Sequence, residues 1–179
     1  MTLAEIYAAI TNLVYGDITA APVPVAEVPF IQILILSKYK QIQDNYNFWF
    51  LRAKAEISIV DGTDTYALPL DYKELIHLDY DKEFQFIGND IFFPEAPTED
   101  KDVTIDYWKY LPTPVWADDT SDVVTQYCHW PIIYMVAAMM MLKREEKTAT
   151  GMYMQLADDA IESVYAEDYS RRQSVKEIF

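Results

Sequence analysis

Glycine and histidine are among the residues that this sequence has least of. Glycine occurs only four times in 179 residues, always singly, so no glycine-rich loop can hold a phosphate. The two histidines, His77 and His129, lie in different predicted elements, and a histidine zinc site needs more ligands than these. No serine lies in the strand–turn–helix pattern of a hydrolase nucleophile. These absences argue against an enzyme, and the sequence predicts no cofactor and no metal.

Cysteine and long apolar runs are also scarce. Cys128 is the single cysteine, so no intramolecular disulfide forms and a reducing compartment is favoured. The N-terminus has no basic stretch and carries Glu5 within its first apolar segment, unlike a secretory signal. The longest uninterrupted apolar run, Pro131 to Leu142, is shorter than the roughly 20 residues of a membrane-spanning helix. The sequence therefore predicts neither secretion nor a membrane partner.

Basic residues are outnumbered by acidic ones. Lysine and arginine total 14 against 29 aspartates and glutamates, and the net charge is −15. Residues 61–122 alone hold 16 acids and 4 bases, so that segment carries −12. Because binding of nucleic-acid phosphates depends on cationic side chains, the chain is not expected to bind nucleic acid by itself.

Apolar and aromatic residues are abundant. They make up 51% and 15% of the chain, enough to build the core of one domain, or of one domain with a substantial insertion. The 14 tyrosines suit half-buried surfaces, where the ring is covered and the hydroxyl meets water or a partner. A tyrosine-rich core and extensive contacts between subunits explain this excess equally well.

Helical periodicity is found at both ends of the chain. Thr2 and Glu5 form a capping-box pattern that opens a first helix, which Gly16 ends. The second helix carries a wide apolar stripe and is expected to be central. Pro131 either opens or kinks the third helix. The four predicted helices cover residues 2–16, 28–47, a segment from the caps at 119–122 to 143, and 149–168.

Between the second and third helices the period of the apolar residues changes to two. The segment around Val103, Ile105 and Tyr107 is the clearest strand, and Asp61-Gly62 is typical of a tight turn. A second turn is predicted at residues 88–90. The further predicted strands cover residues 55–60, 65–68, 75–80, 84–87 and 91–93.

The predicted fold is α+β: a four-helix bundle with a small antiparallel β-sheet inserted between helices 2 and 3, and an extended C-terminal tail. The tail carries Arg171, Arg172 and Lys176 against Glu177 and ends in Ile178-Phe179. Such a composition is typical either of a solvated end or of a segment that becomes ordered on an acidic partner. The predicted domains are residues 1–50 (N-terminal helices), 51–115 (β-rich insertion), 116–168 (C-terminal helices) and 169–179 (tail).

Two groups of residues are candidates for chemistry. Cys128 and His129 could form a nucleophile pair, but adjacent residues of a helix point in different directions, so a packing or capping role is favoured. Paired carboxylates can act as acid and base or hold a divalent cation. The tightest carboxylate groups are more often solvated loops, and their spacing does not match a calcium loop; they are Asp79 with Asp81, and Asp118 and Asp119 with Asp122.

Methionine and tryptophan suggest possible binding surfaces. Six methionines could form a pliable groove for a partner helix, although two core helices packing together is the favoured interpretation. Trp49, between Phe48 and Phe50, is either a binding platform or, as favoured, an anchor of the core. The six methionines are Met135, Met139, Met140, Met141, Met152 and Met154.

The order of several segments resembles that of tailed-bacteriophage head-to-tail adaptor proteins, also called connector or head-completion proteins. No single motif carries the resemblance, which extends over most of the chain. The segments, in order, are Met1-Thr2-Leu3-Ala4-Glu5-Ile6, Phe48-Trp49-Phe50-Leu51, Asp61-Gly62, Tyr66-Ala67-Leu68-Pro69-Leu70-Asp71-Tyr72, Tyr107-Trp108-Lys109-Tyr110-Leu111-Pro112 and His129-Trp130-Pro131.

The resemblance implies a structural virion protein of the neck, assembled in the cytoplasm of a bacterial host. It implies a dodecameric ring beneath the portal protein that connects the capsid to tail or nozzle proteins. Viral DNA would pass through the ring without sequence-specific binding. By position, the resemblance assigns docking on the portal to the tail residues Arg171, Arg172, Lys176, Ile178 and Phe179.

Two other functions explain the acidity. An acidic DNA mimic would inhibit a host enzyme by occupying its basic cleft. A hydrolase would hold a metal between Asp118, Asp119 and Asp122. The mimic does not account for the basic tail or the aromatic content, so the adaptor is the preferred interpretation, followed by the mimic.

Overall fold

A computed structural model describes residues 1–16, 23–116 and 121–176, with side chains as far as Ser170. The described residues divide between a helical unit, which lies within Met1–Phe48 and Pro112–Phe179, and a β-rich unit, Trp49–Leu111. The helices are α1 (Leu3–Tyr15), α2 (Val28–Asn45), α3 (Val123–Tyr127), α4 (His129–Lys143) and α5 (Lys147–Lys176). The strands are β1 (Arg52–Ile59), β2 (Thr65–Ala67), β3 (Tyr72–Leu78), β4 (Gln85–Ile87), β5 (Asp90–Phe92) and β6 (Lys101–Lys109). The predicted α+β class, with strands between helix 2 and the C-terminal helices, is confirmed.

The centre of the helical unit is α4, which packs against α1, α2 and α5. Apolar residues lie around most of its circumference, and a helix of that composition is stable only when it is surrounded. The prediction that α2 is central is wrong, because α2 keeps one face in water, where Ile33 is 64% exposed. The fully buried residues of α4 are Ile132, Ile133, Val136, Ala137 and Met140.

The start of α1 has the predicted capping box. The Thr2 backbone N–H donates to Glu5 Oε2 over 2.9 Å, and the Glu5 N–H donates to Thr2 Oγ1 over 3.2 Å. Gly16 ends the helix with a φ of 74°, a conformation that glycine adopts without a steric penalty.

The predicted third helix is divided in two, so the described residues contain five helices rather than four. Asp122 caps α3 by accepting a hydrogen bond from the Thr125 N–H over 2.9 Å. The chain then leaves helical geometry at Cys128 before α4 begins. Pro131 explains the break, because in a continuous helix its ring would clash with the carbonyl of Tyr127, four residues earlier. In α4, Pro131 lies in the first turn, where a backbone N–H has no intrahelical acceptor. The N–H that proline lacks therefore costs no hydrogen bond there.

The C-terminal end is helical further than predicted. We expected a helix to Asp168 and an extended tail over 169–179, but α5 continues to Lys176. The extension follows from the absence of proline and glycine after Gly151 and from the good helix formers Arg171, Arg172 and Lys176. Basic residues also interact favourably with the negative end of the helix dipole. Residues 177–179 lie outside the described residues.

The β-rich unit contains two three-stranded antiparallel sheets instead of the single sheet predicted. Their strand orders are β1-β6-β3 and β2-β5-β4. In the first sheet, Ile57 pairs with Val103 and Ala55 pairs with Ile105, so one face is apolar and has to be covered. The two sheets supply one core, whose buried members are Ile59, Tyr66, Leu68, Leu78, Ile91, Phe93, Val103, Ile105 and Tyr107.

Replacing Ile105 by alanine tests this core. Ile105 is fully buried, so Ile105→Ala should lower the free energy of unfolding by about 2–5 kcal/mol, since it leaves a cavity. The matched control is Ile87→Ala, because Ile87 is 56% exposed in the same unit and should cost less than about 1 kcal/mol. Urea denaturation measures both variants, and equal losses would contradict the described packing.

Candidate functional site

Six exposed acidic residues of the β-rich unit lie near one end of the sheet β1-β6-β3. Because β6 is antiparallel to β1, the end of β1 lies beside the start of β6, where Ile59 pairs with Lys101. The Asp79 N–H, directly after β3, donates to the Thr104 carbonyl over 2.9 Å. The Asp61 N–H donates to Asp100 Oδ1 over 2.8 Å, and the Ser58 hydroxyl donates to Asp102 over 2.8 Å. We call this surface the acidic edge; its exposed members are Asp61, Asp79, Asp81, Glu99, Asp100 and Asp102.

The acidic edge presents negative charge to water. Its only bases are Lys82 and Lys101, and Lys101 lies over the ring of Tyr80, 5.6 Å from the centroid. Among the described residues, no group of three or more histidines, cysteines or carboxylates could hold a metal ion. An unpaired negative surface of this kind repels phosphate groups.

The predicted metal trio contains only one described residue, Asp122, since Asp118 and Asp119 lie outside the described residues. Asp122 Oδ2 accepts a hydrogen bond from the Tyr39 hydroxyl over 2.6 Å, while its other oxygen caps α3. Burial and this bond raise the pKa of Tyr39. The Asp122 carboxylate thus joins α2 to the start of α3.

Cys128 and His129 do not have the properties of a nucleophile pair. Cys128 is fully buried, and this burial, together with the Asp122 charge, raises the pKa of its thiol to about 12. The His129 Nδ1 atom is paired with the carbonyl oxygen of Gln126 over 2.8 Å. The thiol is therefore protonated at neutral pH, when a nucleophilic cysteine has to be a thiolate.

Thiol labelling tests this assignment. At pH 8 an aromatic disulfide reagent should label Cys128 in the folded chain at least about 100-fold more slowly than in the urea-unfolded chain, because the thiol is protonated and covered. The labelling rate is measured from the change in absorbance after the native protein is mixed with the reagent. Labelling of the native chain at the unfolded rate would contradict the burial.

Arg52 and Asp106 form an ion pair on the face of the sheet β1-β6-β3 that lies opposite the core. The Arg52 Nε–H donates to Asp106 Oδ1 over 2.8 Å, and a second guanidinium N–H donates to Oδ2. The Asp106 side chain is 8% exposed and that of Arg52 51%. The guanidinium holds the pKa of Asp106 below its usual value. Lys54 and His77 lie opposite Asp106 on the neighbouring strands, and the positive charge of Lys54 lowers the pKa of Asp106 further.

Sequence analysis missed this pair, although the alternation around Ile105 places Asp106 on the opposite face from the core. The two residues are separated by 54 positions. Only the pairing of β1 with β6 brings them together, and that pairing has no local sequence signal.

The pair makes stability depend on pH. Since the pKa of Asp106 is lowered by folding, its contribution is complete above the unfolded value near 4 and is lost as pH falls through the folded value. Asp106→Asn should lower the free energy of unfolding at pH 7 by about 1–2 kcal/mol. The difference from the unmodified chain should shrink below about pH 4.

Urea denaturation at pH 7 and at pH 3 measures the effect of Asp106→Asn. The control is Asp102→Asn, an exposed acid of the same strand, which should change stability by less than about 0.5 kcal/mol. A difference that stays constant over this pH range would show that Asp106 acts only through its shape.

The α4–α5 pair carries two grooves. The first, the aromatic groove, has a volume of about 370 Å³. Trp130 in it is stacked on Tyr134, with ring centroids 5.5 Å apart and an interplanar angle of 21°. The charged residues that line it are Asp159 and Glu167, and both are acidic. The lining also includes Tyr127 and Leu156.

The second, the methionine groove, has a volume of about 250 Å³ and lies between α2, α4 and α5. Its apolar lining includes Met135, Met139, Leu142 and Met154. The methionine prediction thus has a divided outcome, because Met140 and Met141 are buried in the core whereas the groove methionines are at least partly exposed. Met152 is exposed outside both grooves.

The aromatic cluster at Trp49 is mainly a core feature, as favoured. Phe48 is fully buried in the helical unit, where its ring lies 4.8 Å from that of Tyr165. Phe50 is buried in the β-rich unit, and half-buried Trp49 meets its ring edge-on at 5.8 Å.

The predicted docking residues lie at the end of α5. The backbone of Arg171, Arg172 and Lys176 is helical, and their side chains lie outside the described part of the structure. Ile178 and Phe179 follow the last described residue. Docking through these five residues stays a prediction.

Comparison with protein-family models finds no match for the chain, and comparison with curated proteins finds no significant relative either. The family is therefore not shown, and the adaptor resemblance stays a prediction. None of the helices in the described ranges has both the length and the apolar character to cross a membrane.

Proposed function

We propose that this chain is a head-to-tail adaptor of a tailed bacteriophage, a structural virion protein that forms a dodecameric ring beneath the portal. The ring connects the capsid to the tail and extends the DNA channel. The observation that carries the proposal is the order of the segments that resemble adaptor proteins, from the capping box at Thr2 to the helix start at His129.

The fold is compatible with that order, since the matching segments are turns, caps and strand ends. Asp61-Gly62 forms a turn after the β1 strand, and Gly62 has a φ of 75°. Pro69 accepts a hydrogen bond from the Tyr72 N–H over 3.0 Å, which closes a second turn. Asp71 then accepts one from the Tyr107 hydroxyl over 2.8 Å. Segments of this kind fix the course of a chain, so a shared order of them supports a shared fold.

The distribution of charge supports the channel role. DNA that moves through a ring must not adhere to its wall, and a wall of carboxylates repels phosphate where a basic wall would retain it. The acidic edge provides six exposed carboxylates against two lysines. We propose that it faces the DNA channel.

The basic end of α5 supports contact with a second protein. Arg171, Arg172 and Lys176 form the one locally basic stretch after Lys147, at the far end of a 30-residue helix. At about 1.5 Å per residue that helix is about 45 Å long. We propose that this end docks on the portal together with Ile178 and Phe179.

Electron microscopy of the chain mixed with the portal protein of the same genome tests the function. The full chain should form a ring stacked on the portal, and a chain ending at Asp168 should leave the portal bare. A full-length variant, Arg171→Glu with Arg172→Glu, should also fail, because it reverses the charge without shortening the helix. The control is Lys40→Glu, which changes an exposed lysine of α2 and should dock normally.

A full chain that stays dispersed and leaves the portal bare would overturn the adaptor function. Tight binding of such a dispersed chain to a basic nucleic-acid enzyme would then favour the DNA mimic. Docking by the Asp168 truncation would retain the adaptor function but reject the role of the tail.

A further inference from the structure

The α4–α5 pair has two different apolar surfaces on opposite flanks. On α5 the aromatic groove is lined by Leu156 and Ala160, and the methionine groove by Met154 and Asp158. Residues at these positions lie on opposite sides of the buried seam along α5, because successive helical residues are rotated by about 100°. The seam itself, which packs on α4, contains Tyr153, Ala157, Ile161 and Val164.

Both flanks expose large apolar side chains. Trp130 is 47% exposed on the aromatic flank, and Leu142 and Met154 are 53% and 59% exposed on the methionine flank. Single exposed apolar residues are ordinary, but contiguous ones in a groove mark interaction surfaces. Neither flank is covered by the described residues of the chain.

We propose that the two flanks are the two halves of the contact between neighbouring copies of this chain, with Trp130 of one copy inserted into the methionine groove of the next. The inference rests on the proposed ring and names its contact. Rings arise from heterologous contacts, in which one surface of each copy meets a different surface of the next. Two unlike flanks on one helix pair fit that requirement.

Trp130 is suited to insertion. Its ring is held by stacking on Tyr134, whose ring in turn lies parallel to that of Tyr153, with centroids 6.4 Å apart. A ring held in this way loses little conformational freedom on binding. Tryptophan is enriched among the residues that dominate interface energies, and methionines adapt to an aromatic ring and contact it through sulfur.

The charges disfavour a contact between two aromatic flanks. The described lining of the aromatic groove includes the exposed carboxylate of Asp159 and no basic side chain, so two aromatic flanks would place negative charge against negative charge. The methionine groove includes Lys38 beside Asp158. Lys38 donates one hydrogen bond to Gln41 over 2.8 Å, and an ammonium group has three donors. It can therefore meet the carboxylate of Asp159 in the next copy.

Two single variants test the two halves separately. Trp130→Glu removes the inserted ring, and Met154→Glu places a charge in the groove. Each should weaken association of the chain by about 30-fold or more, the usual effect of losing a central interface residue. Met152→Glu is the matched control, because it changes the same residue type on the same helix at 52% exposure outside both grooves.

Sedimentation of the full chain measures association, first alone and then bound to the portal protein, with circular dichroism as the check that each variant is folded. Met152→Glu should assemble as the unmodified chain does. Trp130→Glu and Met154→Glu should each sediment as single chains of about 20.8 kDa.

Mixing the two defective variants gives the sharper result. Trp130→Glu keeps an intact methionine groove, and Met154→Glu keeps an intact Trp130, so one productive contact remains between them. The mixture should form dimers with one copy of each variant and nothing larger. A contact between two like flanks would give no such rescue.

The outcomes separate this inference from the proposed function. If the unmodified chain forms rings and both variants form them equally well, or if their mixture stays monomeric, the assignment of the flanks is overturned and the adaptor function stands. If the unmodified chain forms no ring, alone or on the portal, both are overturned.

Discussion

The burial of α4 is the constraint on which the helical unit depends. Because α4 is apolar around most of its circumference, it has to be enclosed, and α1, α2 and α5 are the helices that enclose it. Arg144, the residue that follows α4, connects this helix to the end of α1. The Arg144 guanidinium donates to the Val14 carbonyl over 2.6 Å and lies over the ring of Tyr15, while Lys143 lies 3.6 Å from Glu27. One helix and its last turn thus hold the end of α1 and the start of α2.

The same enclosure leaves the two grooves. Three helices around a fourth do not close its whole surface, and the remaining openings lie beside α5. The residues there, including Trp130 and Leu142, belong to α4 itself, so their partial exposure is a consequence of how the central helix is covered. Removing that apolar surface from water contributes about 25 cal/mol per Å², which favours a neighbour at these openings over solvent. A monomeric DNA mimic would leave them uncovered.

Local patterns in the sequence predicted the elements, and long-range pairing decided the rest. The capping box at Thr2 and the alternation around Ile105 depend on residues a few positions apart, and both were read correctly. The break in the third helix also has a local cause, Pro131. The sequence predicted that Pro131 would either open or kink the helix, and the residues before it did not decide between the two. The extension of α5 beyond Asp168 was not predicted, because the apolar period ends there. The residues that follow are nevertheless good helix formers.

The candidate surfaces were less predictable than the fold for a physical reason. Met139 and Met140 are adjacent and chemically identical, yet one is exposed and the other buried, because only the placement of α2 and α5 around α4 distinguishes them. The Arg52–Asp106 pair likewise required the pairing of β1 with β6. For the acidic edge, in contrast, the sequence predicted the net charge of the segment but not which surface carries it.

Strand pairing brings acidic residues that are distant in the sequence together on one surface. The carboxylates of the acidic edge lie in turns and near strand ends, where they are exposed, and the strands between them stay apolar on one face. A segment with so large a net charge can therefore fold without burying its charges, apart from Asp106, which has a guanidinium partner. The six carboxylates of the acidic edge give that end of the sheet a negative field, which repels phosphate groups.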